Sequence, residues 1–83
     1  MRAVVTPLKF HPVNASHGYA VEKVNEQYRV VFAEKRSVNN NTVYLKEGNA
    51  HSRGRLHSYD TIYQADYVIR YEILPLYKES QKR

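Results

Sequence analysis

Two arginines on either side of a glycine form the most distinctive chemical motif of the chain. Arg53, Gly54 and Arg55 stand in the polar segment AHSRGRLH, residues 50–57. A guanidinium group binds phosphate oxygens through two parallel hydrogen bonds, and a glycine lets the backbone approach such a ligand. The N-terminus of a helix predicted just downstream would add open N–H donors. The segment therefore predicts a phosphate-binding loop, and the alternative is a solvated loop whose arginines keep the protein soluble.

The histidines beside this motif suggest a second chemistry. His51 and His57 can exchange protons near neutral pH, which is what a small metal-independent ribonuclease requires of its general acid and base. The groups that would bind the phosphate and position the substrate follow within a few residues: Arg53, Arg55, Tyr59 and Tyr63. The chain has no glycine-rich phosphate loop, GxSxG motif or cysteine nucleophile. Enzyme activity is therefore an alternative and not our first hypothesis.

No pair of histidines has the spacing of a metal-binding helix. His11 and His17 are six residues apart, as are His51 and His57, whereas an HExxH helix places its ligands at i and i+4. The absence of cysteine excludes thiolate metal sites and disulfides. We predict no metal and no cofactor.

The eight tyrosines form two groups with different potential roles. Tyr19, Tyr28 and Tyr44 lie on three predicted strands, where rings on a common sheet face would stack nucleic-acid bases. The cations that would bind the phosphates lie on the same strands: Arg29, Lys35 and Lys46. The alternative is that these rings pack in cross-strand pairs.

The second group is spaced along a predicted helix. Tyr59, Tyr63 and Tyr67 recur every four residues and so lie along one flank. We expect these rings to edge the core with their hydroxyls in water, and the alternative is a binding ladder.

Basic charge is concentrated in the second third of the chain. The 83 residues, enough for one small domain, carry 13 Lys and Arg against 8 Asp and Glu, a net charge of +5. Residues 35–57 contribute +4 of this, with one acid, Glu47, against Lys35, Arg36, Lys46, Arg53 and Arg55. This charge favours phosphate or an acidic protein surface. With no apolar run of membrane-spanning length and no secretory signal, we expect a cytoplasmic protein.

Alternating apolar residues predict a β-rich N-terminal part. Two prolines make residues 1–13 an extended arm or edge strand. Gly18 to Arg36 predicts a hairpin that turns at Asn25–Gln27, and the SVNNN segment, residues 37–41, predicts a second reversal. Thr42 to Lys46 predicts a third strand, which the Glu-Gly-Asn sequence that follows would end.

A helix followed by a strand is predicted next. The helix runs from Ser58 to Arg70, with Ser58 and Asp60 available as caps. The dense apolar stretch Tyr71–Tyr77 predicts a strand, which Pro75 confines to a sheet edge open to a partner or a second copy of the chain. Residues 78–83 form a charged tail that we expect to fray.

Together these elements predict an α+β fold. An antiparallel sheet of three to five strands packs on one amphipathic helix, in the order β-β-β-β-α-β. The predicted core consists of Val21, Val30, Phe32, Val43, Leu45, Ile62, Ala65, Ile69, Ile73 and Leu74. No known family is resembled closely enough to name.

Our first functional hypothesis is a non-enzymatic, nucleic-acid-associated binding module. Its site residues would be Lys35, Arg36, Lys46, Arg53, Arg55, Tyr44, Tyr59 and Tyr63. The alternative is a protein-binding regulator or inhibitor, of the kind that phages and mobile elements encode. It would use the same Tyr and Arg surface against an acidic or a nucleic-acid-binding protein. A small ribonuclease is the second alternative.

Overall fold

Three long antiparallel strands form the centre of the fold, and short strands flank them. The computed structural model describes residues 3–49, 51–52, 55–56 and 58–81, and for residues 49, 51, 52, 55 and 56 it describes the backbone alone. The strands are β1 (Val4–Val5), β2 (Lys9–Pro12), β3 (His17–Val24), β4 (Gln27–Val38), β5 (Asn41–Asn49), β6 (His51–Ser52), β7 (Arg55–Leu56) and β8 (Ser58–Tyr59). The helical elements are α1 (Ile62–Val68), a π-helical segment (Ile69–Ile73) and α2 (Leu74–Ser80).

Asparagines form the two tight turns between the long strands. Asn25 has a φ of 57°, and Asn39 and Asn40 have φ values of 52° and 67°. Asparagine adopts this left-handed backbone more readily than most residues, because its short side chain bonds locally. The predicted hairpin and the predicted reversal in the SVNNN segment are therefore confirmed.

A β-bulge lengthens the third long strand beyond its predicted end. Phe32 pairs with Gly48 and Ala33 with Lys46, so Glu47 is an extra residue on β5. The prediction that the Glu-Gly-Asn sequence ends the strand was wrong, since β5 continues through it. A bulge accommodates one unpaired residue and redirects its side chain.

The sheet is curled, because its two edge strands are consecutive in the chain. The strand order is β1-β5-β4-β3-β2, which places β1 and β2 at opposite ends. A flat sheet would separate them by about 19 Å, whereas the three residues between them span at most about 14 Å. The rings of Phe10 on β2 and Tyr44 on β5 accordingly meet at 4.9 Å across the concave face.

Both faces of the central strands are buried. Val21 and Val30 pack under the helix with Ala65, Val68, Ile69 and Ile73. Their neighbours Ala20 and Val31 face the opposite way and pack with Val5, Phe10 and Tyr44 in the concave face. Five predicted core residues are buried (Val21, Val30, Ala65, Ile69, Ile73), and the other five, Phe32, Val43, Leu45, Ile62 and Leu74, are partly exposed. The prediction missed Val5, Ala20, Val31, Ala33 and Val68, which are also buried.

The helix starts later than the sequence predicted. Ser58 and Tyr59 form β8, which pairs with the first residues of β4, so neither Ser58 nor Asp60 caps the helix. Thr61 is the N-cap: its hydroxyl accepts from the Gln64 N–H at 3.2 Å, and the Gln64 side chain accepts from the Thr61 N–H at 3.3 Å. This reciprocal capping box satisfies two backbone donors of the first turn.

The strand predicted for Tyr71–Tyr77 is wrong, because these residues are helical. The helix passes from α1 through the π-helical segment into α2 and reaches Ser80. In the π-helical segment the Leu74 N–H donates to the Ile69 carbonyl, five residues back. Pro75 follows in the first turn of α2. The wider turn gives room to a residue that has no N–H and whose ring would crowd the carbonyl four residues earlier in a regular helix.

The predicted α+β fold class is confirmed, but the strand predicted after the helix does not form. An antiparallel sheet is followed by one helical rod, an α+β arrangement. Among the described residues, no helix has both the length and the apolar character needed to cross a bilayer.

Candidate binding surfaces

A row of tyrosines lies along the exposed flank of the helix. Tyr63, Tyr67 and Tyr71 are 82%, 59% and 58% exposed, and the rings of Tyr67 and Tyr71 are 4.7 Å apart. Tyr59 on β8 continues the row and packs partly on the core. We call these four residues the tyrosine face. The expectation that the rings edge the core holds for Tyr59 and fails for Tyr63 and Tyr67, which project into solvent.

A shallow apolar groove runs between these rings. It encloses about 400 Å³ and is lined by Tyr59, Tyr63, Gln64, Tyr67 and Val68. Burial and, to a smaller extent, the nearby Glu72 carboxylate raise the pKa of the Tyr59 phenol. The phenol of Tyr59 therefore keeps its proton to a higher pH than an exposed tyrosine does.

Among the described residues, the charged groups near the tyrosine face are Asp60, Asp66, Arg70 and Glu72. Arg70 lies 3.9 Å from Asp66 and sits over the Tyr71 ring at 5.5 Å. Asp60 and Glu72 are exposed beside the row. Over residues 62–80 there are three acids (Asp66, Glu72, Glu79) and two bases (Arg70, Lys78), a net charge of −1. These helix residues therefore contribute no net positive charge.

The cations predicted to bind phosphate on the sheet are divided between its faces, with Lys35 and Lys46 on the face of Tyr44 and Arg36 on the other. Lys35 and Arg36 are adjacent on β4, so their side chains point to opposite faces. Arg36 binds the Glu34 carboxylate at 3.0 Å, and Lys46 binds the Glu22 carboxylate at 3.3 Å. Two of the three cations are thus engaged by acids of the same sheet.

The tyrosines of the three long strands also fail to form a common platform. Tyr19 and Tyr28 pack beneath the helix, whereas Tyr44 packs in the concave face against Phe10. The register therefore supports the alternative, in which these rings serve packing.

The Arg-Gly-Arg motif belongs, by sequence, to the segment between β5 and β8. β5 ends opposite Val31, β8 begins opposite Arg29, and both pair with β4. Between them β6 and β7 pair with each other, with His51 opposite Leu56. Arg53, Gly54 and His57 lie outside the described residues, as do the side chains of His51 and Arg55. The phosphate-binding loop and the ribonuclease hypothesis depend on these groups and stay predictions.

The helix does not begin directly after the Arg-Gly-Arg motif. β8 intervenes, and the capping box occupies donors of the first turn. The predicted contribution of open helical N–H groups to a phosphate site is therefore weakened.

Two polar clusters appear that the sequence did not predict. One is the pair His11–Asp66, which joins β2 to α1 at 2.5 Å. The other groups His17, Glu34 and Glu47, whose potential ligand atoms all lie within 4.8 Å of one another. Their spacings along the chain carry no motif, because strand register alone brings them together. A correct register for β3, β4 and β5 was the only signal that could have revealed the second cluster.

Comparisons with protein-family models, with curated proteins and with solved structures gave no match to this chain. Function is therefore inferred from the arrangement of the chain's own residues.

Proposed function

We propose that the protein is a non-enzymatic binding module that docks on another protein through the tyrosine face. The observation that carries this proposal is the exposure of Tyr63, Tyr67 and Tyr71 in one row on a single helix. Tyrosine is enriched at the centres of protein interfaces because it offers a large apolar ring, a hydroxyl and little side-chain entropy to lose. Three such rings side by side are a large apolar area to leave in water.

The row has the spacing of a helix that inserts into a groove. Anchors at i, i+4 and i+8 occupy one flank, as in amphipathic helices bound by groove-forming partners. The opposite flank, with Ala65, Val68 and Ile69, is fixed on the sheet. The helix is therefore already ordered before docking, which removes the entropic cost of folding on binding.

The charge around the row favours one type of partner. Among the described residues the acids Asp60, Asp66 and Glu72 outnumber the one base there, Arg70. The complementary surface is an apolar groove with lysines or arginines at its rim, as on a protein that itself binds nucleic acid. Binding there would cover such a surface, so the module would act as a regulator or inhibitor of its partner.

An affinity capture with matched variants tests this proposal. Wild type, Tyr63→Ser/Tyr67→Ser and Val38→Ala would be used as bait in nuclease-treated lysate of the cells that produce the protein. Val38 is an exposed apolar residue at the far end of β4, 44% exposed, and serves as the control. We expect one protein to be retained by wild type and Val38→Ala and lost with the tyrosine variant.

The retained protein would then be purified and its affinity measured directly. Replacing one anchor at an interface centre costs about 2 kcal/mol or more, so the double variant should bind at least about 30-fold more weakly. Equal binding of the wild type and the tyrosine variant would contradict the proposal.

Nucleic-acid binding is the second candidate, supported by where the basic charge lies. With −1 on residues 62–80, the rest of the chain carries +6. The segment between β5 and β8, which contains Arg53 and Arg55, is followed by Ser58, the partner of Arg29 on β4.

A salt titration separates the two candidates. Binding to random single-stranded and double-stranded DNA and RNA would be compared between wild type and Arg53→Ala/Arg55→Ala. A log–log slope near −3 or steeper that falls by about 1–2 in the variant supports the nucleic-acid function. No binding at about 100 mM salt leaves the protein partner as the function.

A further inference from the structure

Three strands of the sheet bring one histidine and two carboxylates together. His17 on β3 and Glu34 on β4 lie directly opposite each other, so their side chains share one face. Glu47 is the extra residue of the bulge on β5, and its Oε1 lies 4.0 Å from the His17 Nε2. All three side chains are partly accessible to solvent, which leaves an entry path for an ion.

The imidazole of His17 is held in a fixed orientation. Its Nδ1 lies 2.8 Å from the Ser16 hydroxyl, and its ring stacks on Phe32 at 5.5 Å with an angle of 11°. The Asn14 Oδ1 accepts from the backbone N–H groups of Ser16 and His17, at 2.9 and 2.8 Å. The ring therefore presents Nε2 to the carboxylates while Nδ1 is engaged by a neighbour, an arrangement typical of metal-binding histidines.

An arginine from the same sheet face supplies positive charge beside these ligands. The Arg36 Nη2 lies 3.0 and 3.2 Å from the two oxygens of Glu34. The Arg36 side chain is 50% exposed, so it can swing into solvent when another cation binds Glu34. A metal ion at this position would compete with Arg36 for the carboxylate.

We propose that His17, Glu34 and Glu47 form a binding site for a divalent transition-metal ion, with Zn²⁺ as the type ion. Zinc takes one imidazole nitrogen and two carboxylate oxygens at about 2.0–2.2 Å, with ligand atoms about 3.4 Å apart. The ligand atoms, which lie within 4.8 Å of one another, reach that spacing through rotation of the two glutamate side chains. The nitrogen ligand disfavours Mg²⁺ and Ca²⁺, which prefer oxygen.

Three protein ligands leave a fourth position for water. This ligand number is that of catalytic rather than structural zinc sites, which use four protein ligands. The site is separate from the tyrosine face and does not depend on the proposed partner.

Titration of the untagged, metal-free protein with Zn²⁺ tests the site. Isothermal calorimetry should give one ion per chain, and His17→Ala or Glu47→Gln should weaken binding by more than about tenfold. His11→Gln is the control, because it removes a histidine that also faces a carboxylate but has no third ligand among the described residues. A His51→Ala/His57→Ala variant should bind as wild type does.

Two further variants test the details of the arrangement. Ser16→Ala should weaken Zn²⁺ binding about tenfold, because the imidazole loses the group that orients it. Arg36→Ala should strengthen binding several-fold, because it removes the competing cation. Paramagnetic Co²⁺ should broaden the amide resonances of residues 16–17, 34 and 46–48 first, a readout that needs no variant.

The proposal is overturned if wild type does not bind Zn²⁺ at about 1 mM. It is also overturned if folded His17→Ala and Glu47→Gln proteins bind as wild type does, or if Co²⁺ broadens other resonances first. Circular dichroism establishes that the variants are folded.

Discussion

The Nε2 of His11 on β2 lies 2.5 Å from the Oδ1 of Asp66 on α1. This contact joins an edge strand to the helix across 55 positions of sequence, and both side chains are largely shielded, at 25% and 20% exposure. It therefore fixes α1 over β2.

Removal of either partner of this pair should destabilise the protein. We expect His11→Ala and Asp66→Ala each to lower the free energy of unfolding by about 1–2 kcal/mol, because a shielded polar group loses its partner. Urea denaturation measures the change. In the double variant the two losses should not add, with a coupling of about 0.5 kcal/mol or more. Strict additivity would show that the contact contributes nothing.

Gly18 should not tolerate a side chain. A Cβ there would lie 2.5 Å from the His11 carbonyl oxygen and 2.8 Å from the Pro12 Cα, both of them backbone atoms. We expect Gly18→Ala to cost about 2–3 kcal/mol, since β2 must move away from β3. Gly48→Ala is the matched control, because a Cβ at Gly48 meets nothing within 4 Å. Equal stability of the two variants would contradict the close packing of β2 on β3.

Thr61 should be the residue on which the start of the helix depends. Thr61→Ala should lower stability by about 1 kcal/mol, because the Gln64 N–H loses its acceptor. Asp60→Ala, which keeps the capping box, should change stability by less than about 0.5 kcal/mol. Chemical denaturation of both variants tests the assignment. A larger loss of stability in Asp60→Ala than in Thr61→Ala would place the cap at Asp60.

The protein should lose stability in alkali through two tyrosines. Burial raises the pKa of Tyr19, with a smaller effect of Tyr77, and burial with Glu72 raises that of Tyr59. The folded state keeps these protons at a pH where the unfolded chain, with a pKa of about 10, releases them. The stability they confer is therefore complete below about pH 10 and is lost as the pH rises through the higher folded values.

Phenylalanine variants test this pH dependence. In Tyr19→Phe and Tyr59→Phe the difference in unfolding free energy between about pH 8 and pH 11 should be smaller than in wild type. Val38→Ala, which removes no phenol, should show the wild-type difference. An unchanged difference in both phenylalanine variants would rule out these groups as the cause.

Patterns of neighbouring residues in the sequence predicted the elements whose formation depends mainly on neighbouring residues. The hairpin of β3 and β4 follows from alternating side chains and from asparagines that accept left-handed backbone. The predicted helix ended too early, at Arg70, because Pro75 and its apolar neighbours are as typical of an edge strand as of a helix. The π-helical segment that accommodates Pro75 depends on packing of Ile69 and Ile73 against the sheet, which no local pattern contains.

The sites depend on register and curvature, which the sequence left open. Tyr44 lies on the opposite face from Tyr19 and Tyr28, so the predicted platform of three rings does not form. The bulge at Glu47 and the curl that brings Phe10 to Tyr44 are equally invisible in the spacing of residues. The neighbourhood of Tyr63 and Tyr67 was predictable because both lie on one helix, whereas Tyr59 lies on β8 and Tyr71 was assigned to a strand.

Photo-crosslinking in the producing cells tests the tyrosine face most directly. A benzophenone-bearing amino acid would replace Tyr67, at the middle of the row, or Val38 as a control of similar exposure. The account predicts a protein adduct of one defined mass from position 67 and none from position 38. A nucleic-acid adduct, or the same protein adduct from both positions, would contradict docking of a protein on this face.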